Sequence, residues 1–374
     1  MDSLGFDYAQ LGDARRAIEF HEQSLAISRE LGDRQAEIAS IGNLGLAAAL
    51  LGNASRAIEQ NDQQLRLARE VGNRQEEGIA LTNIGLAYLL RGEASQAAEF
   101  FQQSLAIARE IGDLRNEANA LEALGSAHIE LDQTSRAIEY LQLALRLQRE
   151  SASRRGEATV LRHLGRAYTK LAVTSSAIRF YEDALTILDQ IDDRRSQGIV
   201  LDDLGNVYAG LADMSRAIEY YEQALLNFRD LGDRRAEGIM LHRLGDAYTR
   251  LGQPNRAFRC YEQCLSIAPE VGDRPNEIRV LISLGNIYLQ AGNMRSAFDC
   301  YQKSYIIPRE IKDLEAEASA MGNIGLACLH SGEFEYAIAA HERALTIFRQ
   351  ISNRLVRQEN WVILETHTDL GAMA

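Results

Sequence analysis

Glycine returns every forty residues along this chain: Gly5, Gly45, Gly85, Gly125, Gly165, Gly205, Gly245, Gly285 and Gly325. Alanine keeps the same step at Ala17, Ala57, Ala97, Ala137, Ala177, Ala217, Ala257, Ala297 and Ala337. Leucine does so at Leu25, Leu65, Leu105, Leu145, Leu185, Leu225, Leu265 and Leu345, with Tyr305 the one departure. A chain of 374 residues would ordinarily divide into two or three globular cores. A fixed period of this size instead describes a stack of small units, each burying its faces on its neighbours.

Each period reads as two helices. In the second unit, Ile38, Ile41, Leu44 and Ala48 lie three or four residues apart and predict a helix from about Gln35 to Leu50. Ala57, Ile58, Leu65 and Ala68 predict a second from about Ala54 to Val71. Gly52-Asn53 and Gly72-Asn73 punctuate them, since glycine supplies the left-handed residue that closes a helix and Asn or Asp caps the next. Gly32-Asp33, Gly112-Asp113, Gly232-Asp233 and Gly272-Asp273 repeat that signal. Glu37, Glu77, Glu117, Glu157, Glu237, Glu277 and Glu317 each fall in a helix's first turn, where the helix dipole favours a carboxylate.

Gly45 and Ala57 are expected to let the paired helices approach closely, while Ile41, Leu44 and Leu65 fill the layers between pairs. Asp132, Ala172 and Ala212 replace the glycine between the helices of a pair, and Ala152 and Asp192 replace the one before the next pair. A side chain in the left-handed region costs about 1 kcal/mol, so a slightly different turn is expected at these five places.

Leu204, Gly205, Tyr208, Ala217, Tyr221 and Ala224, and again Leu244, Gly245, Tyr248, Ala257 and Tyr261, resemble the tetratricopeptide repeat, and Pro269 falls where that family places its proline. The chain departs from the commonest form in its longer repeat and in carrying Ile41, Leu81, Leu121 and Leu161 where the motif begins with tryptophan. The forty-residue form is similar to that of Pins-related spindle-orientation adaptors and of large bacterial signalling proteins. The resemblance implies an all-α fold, an α-solenoid in which antiparallel helix pairs wind into a superhelix. About nine units and a C-terminal capping helix are expected, in a single domain over 1–374. Its parts are a clipped first unit at 1–33, eight full units at 34–353 and the cap at 354–374, where Trp361 and Leu364 are in phase and Glu365 takes the glycine position.

Composition narrows the partners. The net charge of -13 makes nucleic acid and anionic membrane poor partners. No apolar run approaches the ~20 residues of a membrane span, and the first residues lack the basic and apolar regions of an export signal, so a cytoplasmic location is expected. Three of the 40 basic residues are lysines (Lys170, Lys303 and Lys312). The phosphate-binding G-x-x-x-x-G-K-[ST], the zinc-protease H-E-x-x-H and the nucleophile elbow G-x-S-x-G do not occur. Cys260, Cys264 and Cys300 read as small fillers where other units carry Tyr220, Ala224 or Phe180, in preference to a metal or redox cluster. An enzyme is not expected, nor a cofactor, a metal or a small-molecule substrate.

In the tetratricopeptide family the first helices of successive pairs line a concave groove, which implies that partner-binding residues lie there. Early units offer Leu46, Leu50, Leu86 and Leu90; central units offer Glu122, Glu130, Arg162, Arg166, Lys170, Asp202, Asp203, Asn206, His242, Asp246 and Arg250; later units add Asn286, Gln290, Asn323 and Leu326. Arg162, Arg166 and Lys170 form one basic stripe at four-residue spacing. Two readings stand side by side: a clamp for an acidic peptide whose apolar anchors sit on the leucines, or an internal ladder. In the ladder Glu122, Arg162, Asp202 and His242 alternate in sign and Glu130 lies beside Lys170. The expected function is a non-catalytic interaction scaffold holding a partner peptide or segment, or a sensor array belonging to a larger signalling ATPase, protease or transcription regulator. Self-assembly through exposed end faces is a weaker third.

Overall fold

The computed structural model describes residues 2–10, 14–311, 313–330 and 332–351. Among them every regular element is an α-helix: α1 (Asp2–Gln10), α2 (Ala14–Leu31), α3 (Arg34–Leu50), α4 (Ala54–Glu70), α5 (Arg74–Leu90), α6 (Ala94–Ile111), α7 (Leu114–Glu130), α8 (Thr134–Glu150) and α9 (Arg154–Lys170). There follow α10 (Thr174–Gln190), α11 (Arg194–Gly210), α12 (Met214–Asp230), α13 (Arg234–Arg250), α14 (Pro254–Ile267), α15 (Arg274–Gln290), α16 (Met294–Ile311) and α17 (Leu314–His330). An eighteenth, α18, covers 334–351. The expected cap at 354–374, with Trp361, Leu364 and Glu365, lies outside the described residues.

The helix ends are made as the punctuation implies. Asp33 and Asn53 accept the backbone N–H groups of Ala36 and Arg56, each at 3.1 Å. At the other end Gly52 takes φ +75°, so that its N–H reaches Ala49 O at 2.9 Å and the N–H of Asn53 reaches Ala48 O at 3.0 Å. The expectation of a different turn at the five glycine-free places is wrong. Asp132, Ala152, Ala172, Asp192 and Ala212 all adopt φ between +51° and +61°. Ala172 N–H bonds Thr169 O and Val173 N–H bonds Tyr168 O, both at 3.0 Å, which is the glycine pattern. Two hydrogen bonds and the packing of both flanking helices outweigh a strain of about 1 kcal/mol.

The periodic glycine has a different neighbour from the one expected. A methyl group on Gly45 would fall 2.5 Å from the amide of Asn61, one helical turn beyond Ala57. In the other pairs that position carries a larger group: Phe101 over Gly85, Leu141 over Gly125, Tyr181 over Gly165, Tyr261 over Gly245 and Tyr301 over Gly285, with atoms 2.4–2.6 Å from where a Cβ would stand. The glycine is thus a slot for a side chain of the second helix. Ala57 is fully buried, but it packs with Ala48 and Ala87, joining its own pair to the next. Leu65 fills the layer between pairs as expected, against Ala80, Leu81, Ile84 and Ile107.

The first-turn glutamates also do more than answer a dipole. Glu37, Glu77, Glu157 and Glu237 are buried. Glu37 accepts Arg29 Nε at 2.9 Å from the last turn of the preceding helix and Arg34 Nη1 at 2.8 Å from its own first turn. Glu77 takes Arg69 and Arg74, and Glu157 takes Arg149 and Arg154. Charge-assisted bonds from two guanidinium groups satisfy a carboxylate that burial would otherwise penalise. The Arg29 hydrogen bond holds the carboxyl of Glu37 below its ordinary value, and at Glu77 the two arginines outweigh the upward push of burial.

The chain divides into two compact units, Met1–Asp213 with Leu226–Asp233, and Met214–Leu225 with Arg234–Ala374. In the first, one core runs through α6–α9, with Phe101, Leu121, Leu124, Leu141 and Leu164 buried together. In the second, Ile278, Leu281 and Ile307 form one cluster and Ala297, Tyr301 and Ala327 another. Within each unit successive first helices touch (α1 to α3, α5, α7, α9 and α11; α13 to α15 and α17), without comparable contact between successive second helices. The first helices therefore lie on the tighter, inner side of each stack.

Two substitutions of glycine by alanine should act in opposite directions. Gly210→Ala meets nothing within 4 Å and should raise stability by about 0.5–1 kcal/mol through helix propensity. Gly85→Ala drives a methyl into the buried Phe101 ring and should lower stability by about 1–3 kcal/mol; chemical denaturation of the two variants measures both. Replacing Ala152, Ala172 and Ala212 together with glycine should raise the midpoint of thermal unfolding. Each relieved strain exceeds the added freedom of the unfolded chain by about 0.5 kcal/mol.

Candidate functional site

The inner face is built by the residues that the first helices do not commit to packing. In the first unit the residue after each slot glycine is Phe6 on α1, Leu46 on α3, Leu86 on α5, Ser126 on α7, Arg166 on α9 and Asn206 on α11. Phe6, Leu46 and Leu86 are all exposed and sit on three successive touching helices, and Leu50 and Leu90 extend the ridge one turn further. Phe6 is the member that sequence reasoning missed, although the forty-residue step reaches it from Leu46. After Glu37, α3 carries no charged residue, and after Glu77, α5 carries none. These stretches hold only apolar and uncharged polar residues, yet Leu46, Leu50, Leu86 and Leu90 stay open to solvent.

Next along the stack come the charges. Arg166 Nη2 donates to Glu130 Oε1 at 2.7 Å, and Lys170 Nζ donates to Asp132 Oδ1 and to Ile129 O, each at 2.7 Å. The ladder thus exists in part but with different rungs: Glu130 takes Arg166, because the first helices are offset and Lys170 overshoots to the turn residue. Arg162 Nε stands 3.8 Å from Asp203 Oδ2, and His163 Nε2 stands 3.6 Å from Glu122 Oε1. Both separations exceed hydrogen-bond length. Asn206 donates to Asp202 Oδ1 at 3.3 Å. Burial lifts the Glu122 carboxyl to about 7 against the opposing pull of Arg162. It also pushes the His163 imidazole well below its ordinary value, with Arg162 and Arg166 acting the same way.

In the second unit His242, Asp246 and Arg250 lie on α13 and Asn286 on α15. His242 Nε2 is 3.8 Å from Asp246 Oδ1, and burial lowers its pKa. The slot tyrosines reach through to this face: Tyr261 Oη donates to Asp246 Oδ1 at 2.5 Å and Tyr301 Oη to Asn286 Oδ1 at 2.6 Å. Arg250, Asn286, Gln290 and Leu326 are exposed. The cysteines follow the filler reading. Cys264 Sγ donates to Gly238 O at 3.0 Å, as Ser104 Oγ donates to Gly78 O at 2.8 Å one hundred and sixty residues earlier. Cys260 and Cys300 occupy the place where Phe100, Tyr140 and Phe180 stack on Tyr88, His128 and Tyr168. Among the described residues no group of His, Cys, Asp or Glu is arranged to hold a metal ion, and no helix is long and apolar enough to cross a membrane.

The tetratricopeptide repeat family model matches in eight overlapping windows, from residues 1–70 to 276–350. The chain belongs to the tetratricopeptide repeat family. Among solved structures it is similar to the signal transduction ATPase with numerous domains (STAND) that carries a tetratricopeptide repeat sensor, from Pyrococcus horikoshii, at TM-score 0.65 and 16% identity, covering 93% of this chain and 54% of that one. It is also similar to a Rap protein complexed with competence and sporulation factor, at TM-score 0.59 and 14% identity over 94% of this chain and 97% of that one. The apo quorum sensor NprR from B. thuringiensis gives TM-score 0.59 and 14% identity over 91% and 98%. At these identities the likeness is one of fold. No curated protein matches closely enough to be called a relative.

The raised carboxyl at Glu122 has a consequence for stability. The native state holds a proton that the unfolded chain releases near pH 4.3, so this group makes stability fall as pH rises from there to about 7. Glu122→Gln should therefore melt at a higher temperature than the wild type at pH 8 and at nearly the same temperature at pH 4.5, as thermal scans at the two values would show.

Proposed function

We propose that the chain is a non-catalytic scaffold whose inner first-helix face receives a segment of a partner protein. The observation that carries this reading is the ridge of Phe6, Leu46, Leu50, Leu86 and Leu90, left exposed on successive first helices, two of which (α3 and α5) carry no charge after their first turn. Apolar side chains of the partner would anchor there. Of the two readings of the basic stripe we adopt the ladder, supported by the Arg166–Glu130 and Lys170–Asp132 pairs. An acidic peptide would have to displace carboxylates already in place. His242, Asp246, Arg250 and Asn286 are proposed as further partner contacts in the second unit. We keep the cytoplasm as the proposed location. A single solenoid domain through residue 374, closed by a cap at 354–374, is likewise our proposal.

A second reading has an observation of its own. The STAND protein carries its tetratricopeptide repeats as a sensor within a longer chain, of which this one spans about half. In that reading the present repeats sense a segment for a signalling protein, and the same face does the binding. The similar Rap protein is complexed with competence and sporulation factor, and a bound occupant fits either reading.

Affinity capture with the full chain as bait, followed by cross-linking, tests the site. Leu46→Asp with Leu86→Asp alters only exposed positions and should leave helicity unchanged. Partner recovery should fall at least tenfold, and wild-type cross-links should fall on α3, α5 and α7. Undiminished capture by the double variant would move the binding face elsewhere.

A further inference from the structure

Away from the inner face, at one edge of the first unit, local choices that weaken the fold gather on a single surface. The turn between α9 and α10 is Leu171-Ala172-Val173, and α11 ends at Gly210, followed by Leu211-Ala212. Ala172 and Ala212 hold the left-handed conformation at φ +56° and +61°, which Gly52, Gly92, Gly252 and Gly292 adopt elsewhere without strain. Val173 stands at the N-cap of α10 and makes no capping bond, whereas Asn53 caps α4 through its side chain. All eight other repeats carry a polar residue at the place of Val173. Gly210 has nothing within 4 Å of where a Cβ would stand, so alanine would fit there and strengthen the helix. Ala172, Val173, Gly210 and Ala212 are all exposed, so burial in a core does not dictate them.

These residues lie together. One repeat earlier, Lys170 holds the place of Gly210 and reaches back to Asp132 Oδ1 and Ile129 O at the preceding turn, each at 2.7 Å. By the same step Gly210 faces Ala172, and without a side chain it leaves that turn uncovered; α11 packs on both α9 and α10. The result is an apolar patch of Leu171, Ala172, Val173, Gly210, Leu211 and Ala212, with Leu171 44%, Val173 41% and Leu211 52% exposed. It is also free of charge. Residues 171–178 and 204–212 contain no Asp, Glu, Lys or Arg, and among the nine stretches equivalent to 171–178 this is the one without a charge.

Apolar surface kept where caps and turns are weakened to keep it marks a contact. Its neutrality indicates the occupant. A dissimilar partner gains from opposite charge, which a chain of net charge -13 offers on its acidic faces and not here. A second copy brings the same charges to the contact, so a charged face repels itself while a neutral one meets itself without that penalty. We propose that this edge is a self-association surface on which two copies of the chain pair about a two-fold axis. The Lys170–Asp132 ion pair borders the patch on one side and Asp213 on the other. Six residues fall short of the ~800 Å² per partner of a stable complex, so the pairing is weak and depends on protein concentration. It uses none of the ridge residues.

Sedimentation of the full chain tests this over concentrations from about 1 to about 200 μM, which span micromolar affinities. Wild type should pass from monomer to dimer mass and go no further, because a two-fold contact closes on itself. Two variants address the edge. Ala172→Gly/Val173→Asp restores the glycine and the cap, and Leu211→Asp sets a like charge on both patches. Both should keep wild-type helicity and weaken dimerisation about tenfold or more. In dilute solution Ala172→Gly/Val173→Asp should also melt at a higher temperature than wild type. A gain in stability joined to a loss of association is not what a purely structural role for the turn produces. Leu46→Asp/Leu86→Asp, on the inner ridge, should dimerise as wild type does. The proposal is overturned by a wild type that stays monomeric throughout, or by edge variants that dimerise as wild type does. Dimers lost on the ridge variant alone, or growth beyond the dimer, would overturn it equally.

Discussion

The contact on which the rest depends is a side chain of the second helix pressed onto a glycine of the first. Where Tyr261 lies on Gly245 or Phe101 on Gly85, ring atoms occupy the volume that any Cβ would need, so the pair can form at only one separation and one rotation. Neighbouring pairs then stack through the alanine series and through Leu65 and its equivalents, which gives each unit a stability that is a sum of adjacent interfaces. The same contact reaches the inner face. The slot lets the hydroxyls of Tyr261 and Tyr301 emerge beside Asp246 and Asn286, so two inner-face groups are oriented from behind by the scaffold.

Two kinds of charge are built onto this frame, and they differ in how well they are satisfied. The buried glutamates at the start of first helices bind arginines from their own and from the preceding helix, which fastens one pair to the next across the turn. At the edges Arg155 and Arg195 reach the capping residues Asp193 and Asp233, thirty-eight residues on, at 2.8 and 3.0 Å. These pairs recur because the junction recurs. Glu122 and Arg162 occupy one repeat position and His163 the next, and none of the three is saturated as the first-turn glutamates are. Groups that burial shifts away from their ordinary ionisation, without a structural counterpart to justify it, are where function is most often found.

The sequence made the fold legible because every repeat states the same thing. Nine copies of one glycine average away local ambiguity, and the caps at Asp33 and Asn53 can be read from two residues each. Less could be read where the outcome depends on how two helices cross, within a pair or between successive pairs. Which side chain fills the slot of Gly45 is settled by the crossing geometry, and spacing alone suggested Ala57 where Asn61 stands. The rung partner of Glu130 depends on the offset between α7 and α9, which favours Arg166 over Lys170. The left-handed turn at Ala172 is not legible from residue type, because two hydrogen bonds and the packing of both flanking helices outweigh the strain. The leucine ridge is legible from the forty-residue step that joins Leu46 to Leu86 and Leu50 to Leu90, and the same step reaches Phe6.

A repeat protein of this kind separates what must be constant from what is free to vary. The position after the slot glycine carries Phe6, Leu46, Leu86, Ser126, Arg166, Asn206, Asp246, Asn286 and Leu326, nine residues of six chemical types on one backbone geometry. The glycine before it never changes, because a side chain of the second helix lies on it; the residue itself lies outside that slot, and only at Asp246 and Asn286 does a slot tyrosine reach it. Differences at such a place are not dictated by the slot contact, although Arg166, Asn206, Asp246 and Asn286 each find a neighbour within the scaffold. An apolar stretch at Phe6, Leu46 and Leu86, followed by polar and charged residues, is what an amphipathic segment would require.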